Sequence, residues 1–476
     1  MFDTWPECFW ENPGNQVDTQ PRSSKTPKAN KLRVPTTSEP SKNGFRMKNF
    51  ILSMSALTIG AASLAVTTAL QASEGGAKPW TVRAGVSGFY NDNVYTRSDL
   101  TKVSSFGFEV TPGFSLNLPV NDGQTTLGLR YDYLLRYFEN RDKAVDHNHV
   151  VDANLTHNFN TRFKINIFDS FAQAQEPQQM GAGGTIRAEG TNFRNIAGFD
   201  FTSQLAESWS AVTGFRNNLF RYDNVNFAQS LDRVEYLPSV NVRYQVAPNS
   251  NVGVFYQYGV TDYDGPNIGS TQNVGSLRDV NSHFVAATLD HDFAANLTGS
   301  LRGGVQVNDF AGDSELVNLP GGKITGTKSR DGVSPYIDGQ LNYGFLPGSS
   351  LTLGLRHQLT ATDVGVLTTF GGGNENDPIR GSSATSGRIG LSHSFTPKLV
   401  GSINGLYQAG TFIGGGPLVD GKADSYASAD VTLAYHITQN ISTRVSYAHD
   451  QVDSSLLNDL REFSRNRVFL GVNFNY

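Results

Sequence analysis

The residues that could do chemistry are few. His283, His291, His357, His393, His436 and His449 offer imidazoles, but none stands at a metal-ligand spacing from another. The only thiol is Cys8. Gly312-Asp-Ser-Glu315 has a faint hydrolase look, yet no strand leads into it and no helix leaves it, as a nucleophile elbow requires. Gly371-Gly-Gly373 and Gly414-Gly-Gly416 fail as phosphate cradles for the same reason. Asn374-Glu-Asn-Asp377 could bind Ca²⁺ weakly, and reads equally well as a solvated loop. No catalytic residue, metal site or cofactor is assigned, and an enzyme is not expected.

Charge carries more information. Arg83, Glu109, Arg130, Asp132, Arg136, Lys164, Arg216, Glu235, Arg243, Arg302, Arg356, Arg388 and Arg444 all fall at one parity of alternating segments. With Arg194, Arg467, Asp152, Asp200, Asp338 and Asp430 they make twelve basic residues against seven acidic ones on one face. Either this face attracts anions or its charges pair across neighbouring strands. A register error of one residue would flip any strand's members.

The elements that must position these charges are strands. Phe106, Phe108, Val110, Pro112, Phe114, Leu116 and Leu118 alternate with Ser, Gly, Glu, Thr and Asn, and Leu127, Leu129, Tyr131, Tyr133, Leu135 and Tyr137 continue the pattern. Strict alternation over ten or more residues is a strand with one apolar face. Globular strands usually run about five or six residues, whereas a membrane-spanning strand needs ~9–11. Eighteen such segments follow Trp80, centred near 86, 110, 131, 153, 168, 197, 215, 240, 256, 287, 303, 339, 355, 390, 405, 432, 445 and 470. Eight tight turns, the first at Asn121-Asp122-Gly123, alternate with nine longer polar connections. The longest, near 310–331 and 362–383, are the best candidates to narrow an interior.

This asymmetry predicts an all-β fold: a closed transmembrane antiparallel β-barrel of about 18 strands, within bounds of 16–20, with short periplasmic turns and long extracellular loops. In hydrocarbon every backbone polar group must be bonded internally, so a spanning sheet has to close. Lumen-facing Phe168, Phe220, Phe255 and Phe469 are expected to fill gaps in the wall. Leu155-Thr-His-Asn-Phe159, Leu289-Asp-His-Asp-Phe293 and Leu391-Ser-His-Ser-Phe395 each end a strand on an aromatic, as an interfacial girdle would. Val468, Leu470, Val472, Phe474 and Tyr476 alternate to a terminal aromatic, the membrane-insertion signal expected of outer-membrane barrels.

Composition agrees. Charged residues make up 17% of the 476, against 49 Gly, 30 Phe and 18 Tyr. A net charge of −5 with no Lys/Arg run argues against nucleic acid as a partner. Residues 1–46 read as a disordered or misassigned upstream extension, and 47–72 as a signal peptide cleaved near Ala72. Residues 73–476 are then a single barrel domain without cysteine.

Gly88-Phe-Tyr-Asn-Asp-Asn-Val-Tyr95, leading through a polar loop to Thr111-Pro-Gly-Phe-Ser-Leu-Asn117, resembles the opening of the outer-membrane β-barrel porins of the second type. Some relatives are associated with exopolysaccharide export. The resemblance implies a bacterial outer-membrane barrel and carries no catalytic residue.

Three readings stay open: a passive, weakly selective porin for small hydrophilic solutes, a conduit for exopolysaccharide, or an adhesive barrel with a blocked lumen. Expected partners are outer-membrane lipid and lipopolysaccharide, the barrel assembly machinery and small hydrophilic solutes. Whether copies join in a homo-oligomer is open.

Overall fold

Every strand of an antiparallel sheet needs a neighbour on both edges, and here eighteen strands supply one another in a closed ring. The computed structural model describes residues 78–175, 191–266, 278–310, 317–319, 322–324, 332–362, 379–415, 419–456 and 461–476. Segments 1–46 and 47–72 lie outside the described residues. So do Gly312-Asp-Ser-Glu315, Gly371-Gly-Gly373, Asn374-Glu-Asn-Asp377 and most of the two longest connections.

The strands are β1 Trp80–Asn91, β2 Ser105–Val120, β3 Thr125–Phe138, β4 Val145–Asn158, β5 Phe163–Ala174 and β6 Asn192–Gln204. Next come β7 Trp209–Tyr222, β8 Arg233–Ala247, β9 Ser250–Asp262, β10 Val280–Ala294 and β11 Leu297–Phe310. A short hairpin, β12 Val317–Leu319 and β13 Gly322–Ile324, stands outside the ring. The ring resumes with β14 Gly332–Leu346, β15 Ser349–Thr360, β16 Gly381–Ser394, β17 Leu399–Ile413, β18 Ala423–His436, β19 Ile441–Ser454 and β20 Phe463–Asn475. All eighteen expected centres fall inside ring strands. Each strand pairs with its sequence neighbour in the ring, and β1 closes on β20 from Arg83↔Asn475 to Asn91↔Arg467. Val82 and Tyr476 extend the closure by exchanging backbone hydrogen bonds of 2.9 Å.

The connections alternate as their residues require. At the first tight turn Asn121, Asp122 and Gly123 all take positive φ, which Asn, Asp and Gly tolerate best. In connections read as polar loops, the long side holds elements not expected from sequence: a 3-10 turn at Asp99–Thr101, the β12–β13 hairpin and the helix α1 Val225–Leu231. Asn224 caps it by accepting from the Asn226 N–H, and Ala228 to Leu231 are buried.

The two faces of the sheet separate cleanly. Large exposed apolar side chains stand on the outer face of all eighteen ring strands, from Val82 and Val86 on β1 to Leu470 and Val472 on β20. Water-soluble monomers rarely expose an apolar band of this extent, which marks a surface that meets membrane or protein. At the tight-turn end, His157, His291 and His393 meet Phe159, Phe293 and Phe395 edge-on at 4.4–4.7 Å. Each imidazole also shares a hydrogen bond with a neighbouring strand's hydroxyl: Thr125, Ser250 or Ser349. The inner face carries small apolar clusters in place of one core, such as Phe89, Val94, Phe138 and Phe469.

Gly88–Tyr95 runs from the last residues of β1 into the first long connection. Asn93, fully buried, donates through Nδ2 to the carbonyls of Arg97 and Ser464, and Asp92 accepts from both nitrogens of Asn466. The motif therefore ties the β1–β2 connection to β20; its role is to hold the seam.

Candidate functional site

Because side chains alternate in a strand, the ladders fix which face each charge occupies. Arg83, Glu109, Arg130, Asp132, Arg136, Lys164, Arg216, Glu235, Arg243, Arg302, Arg356, Arg388 and Arg444 all share the inner-face parity of buried residues such as Ser87, Phe168, Asn241 and Ala384. The same parity adds Arg233 and Arg465 to the basic side, and Asp146, Asp290, Asp292, Asp424 and Asp450 to the acidic side. The basic excess on the inner wall is thus smaller than twelve against seven.

Many of these charges do pair. Arg83 Nη2 lies 2.8 Å from Asp132 Oδ1 across β2, where Gly113 leaves the space; a Cβ there would collide with the Asp132 carboxylate. Arg130 reaches the second Asp132 oxygen at 2.5 Å. Arg136 donates to the fully buried Glu109 at 2.7 Å, its register partner. Glu235 accepts from Arg233 and Asn218, both at 2.8 Å. Asp450 accepts from Arg467, Arg465, Tyr426 and Ser428. These contacts cross-brace the wall from within.

A different arrangement runs from β8 to β16. Arg356 holds Asp338 at 2.5 Å, and Arg243 lies 3.7 Å from Asp290. Arg302 sits 4.7 Å from the Phe255 ring centroid, and Arg388 donates to Gln340 at 3.3 Å. Among the described residues neither Arg302 nor Arg388 has a carboxylate within 4.0 Å, and both are partly exposed. This arc therefore presents more guanidinium than carboxylate to the interior. Lys164 on β5 is likewise half-buried and inward-facing. Arg216 stands 3.8 Å from Asp200, and Arg444 donates to Ser87.

At the long-connection end, chain segments far apart around the ring meet. Arg278, buried just before β10, donates to the Ser230 carbonyl at 2.7 Å and to the Thr362 carbonyl at 2.5 Å, and lies 4.5 Å from the Tyr263 ring. Asp232, beside α1, accepts from the Tyr222 N–H at 2.9 Å. Burial raises its carboxyl pKa to about 6, which that hydrogen bond offsets only in part. Sequence reasoning passed over Arg278 and Asp232, because isolated polar residues in the connections have no periodic signal.

The fold, its apolar outer band and the family to which the end of the chain is matched define a porin-like outer-membrane β-barrel. The family is described as "Putative beta-barrel porin 2" and matches residues 356–476, from the middle of β15 to the C-terminus. That match lies at the opposite end of the chain from the residues that carry the sequence resemblance. No curated protein matches. Among solved structures, the outer membrane protein OpdK from Pseudomonas aeruginosa aligns at 14% identity over 83% of this chain and 99% of that one, with a TM-score of 0.39. OccAB4 from Acinetobacter baumannii aligns at 10% over 84% and 99%, with a TM-score of 0.38. The FrpB iron transporter from Neisseria meningitidis aligns at 10% over 84% and 82%, with a TM-score of 0.39.

Proposed function

We propose that the protein is a passive outer-membrane channel for small hydrophilic solutes, with a mild preference for anions. A barrel of eighteen strands encloses more volume than its own side chains fill. The observation that carries the reading is the inner arc from Arg243 to Arg388, where neither Arg302 nor Arg388 has a carboxylate within 4.0 Å among the described residues, because Asp338, the register partner of Arg302, is held by Arg356. Guanidinium groups held at a wall lower the energy of a passing anion more than that of a cation. The braced pairs elsewhere, such as Arg136–Glu109, serve the wall and leave the transported charge little affected.

The test is single-channel recording in planar bilayers with a salt gradient. Stable conductance with a reversal potential toward the anion side is expected, and Arg302→Glu with Arg388→Glu should move it toward the cation side. Correctly folded protein that never conducts would sink the channel reading and leave the export-conduit or blocked-barrel alternatives. Loss of surface polymer on deletion, with small-solute uptake unchanged, would favour the conduit.

A further inference from the structure

The outer face carries one charge out of place. Of the Asp, Glu, Lys and Arg residues in the ring strands, Arg221, Asp262, Asp309 and Asp453 face outward, each within the last two residues at the rim end of its strand. The remaining outward charge, Asp169, is the seventh of the twelve residues of β5, in the middle of the span. It interrupts the apolar set Ile165, Ile167 and Phe171, is exposed, and has the buried, inward Phe168 before it. Asn195 of β6 donates to its Oδ1 at 2.6 Å. His149 of β4 and Gln173 of β5, register partners, flank the same patch around Phe171.

Hydrocarbon can satisfy none of these groups, and mid-span polar residues in lipid mark contacts with protein. The Asp–Asn pair leaves a second carboxylate oxygen, a second amide N–H and an amide carbonyl facing outward. Under a two-fold axis along the membrane normal, that set complements itself: each amide N–H meets the other copy's carboxylate. The aromatic centre, with Phe171 and Phe193 rings 6.0 Å apart, supplies the apolar part of the contact. We propose that the outer face of β4–β6 around Asp169 is where two copies of this chain meet in the membrane.

The chain's single cysteine makes the test clean. In full-length protein carrying Cys8→Ser, Ala197→Cys replaces the outward register partner of Asp169. Oxidation in native membranes should give a covalent homodimer from Ala197→Cys, and at least tenfold less from Val431→Cys on the far wall. Native mass spectrometry of the protein with its own sequence should show dimer. Asp169→Leu with Asn195→Leu should reduce the dimer at least tenfold while SDS-resistant, heat-modifiable mobility shows the barrel intact. Asp169→Asn, which keeps hydrogen bonding, should retain it. A monomer throughout, equal crosslinking at both positions, or crosslinking of Ala197→Cys to a different protein would each overturn the proposal.

Discussion

The side chain of Gln306 on β11 acts as a strand residue toward Leu359 on β15. Its Nε2 donates to the Leu359 carbonyl at 3.1 Å, and its Oε1 accepts from the Leu359 N–H at 3.0 Å. The cause lies in β14 between them. β14–β15 pairing ends at Ile337↔His357, so Leu359 would next face Pro335, which has no N–H to give. The carboxamide replaces the missing partner, and Asn308 holds it by accepting from the same Nε2 at 2.9 Å.

Gln306→Ala leaves a buried N–H and carbonyl without partners, at a cost of roughly 1–3 kcal/mol each. The loss should be local: amide exchange at Leu359 should accelerate at least tenfold while the β1–β20 seam keeps its protection. Gln306→Glu should restore only the bond from the Leu359 N–H. Unchanged exchange at Leu359 in Gln306→Ala would show that the main chain finds its partners elsewhere.

Braced charges and pore charges should separate by mutation. Arg136→Ala strands the fully buried Glu109 and should destabilise the barrel by about 3–5 kcal/mol. Arg302→Ala removes a partly exposed guanidinium resting on Phe255 and should cost far less. Urea unfolding in detergent checks the first, and the reversal potential the second. A large stability loss in Arg302→Ala with unaltered selectivity would place Arg302 among the braces.

How these charges divide was only half legible in the sequence. Strand centres, tight turns and the inward parity of each charge follow from period two, which needs no knowledge of neighbours. Arg136 and Glu109 are register partners and pair, whereas Asp338, the register partner of Arg302, is held by Arg356 on its other side. Closure and tilt of the whole ring set that register. Gln306 and Arg278 act across strands that are not sequence neighbours, so no local pattern announces them. Asp169 is the reverse case: its break in the Ile165, Ile167, Phe171 dyad is visible in the sequence alone.

Asp232 gives the rim a pH dependence of defined sign. Its folded pKa, about 6, lies above the unfolded value of 3.8 because burial penalises the charged form. Between those values the folded state binds more protons than the unfolded one, so stability falls as pH rises through this window. Amide protection of α1, corrected for intrinsic exchange rates, should therefore be greater near pH 5 than near pH 7. Asp232→Asn keeps an oxygen for the Tyr222 N–H and should flatten the difference; a difference that persists would assign it to another group.

Arg278 should set how tightly the long-connection end is held. It joins the carbonyl of Ser230, at the end of α1, to that of Thr362 beyond β15, and β8 and β15 are separated in the ring by β9, β10, β11 and β14. A planar guanidinium reaches both carbonyls at once, which a single ammonium does less well. Arg278→Lys should keep part of the link, and Arg278→Ala should leave two carbonyls at the rim without this donor. If α1 narrows the mouth, Arg278→Ala should raise single-channel conductance and its noise, with the reversal potential unchanged because the inner arc is untouched. Arg278→Lys should fall between the two. Conductance identical in all three proteins, alongside faster exchange over residues 225–231, would show that the link holds the rim without narrowing the path.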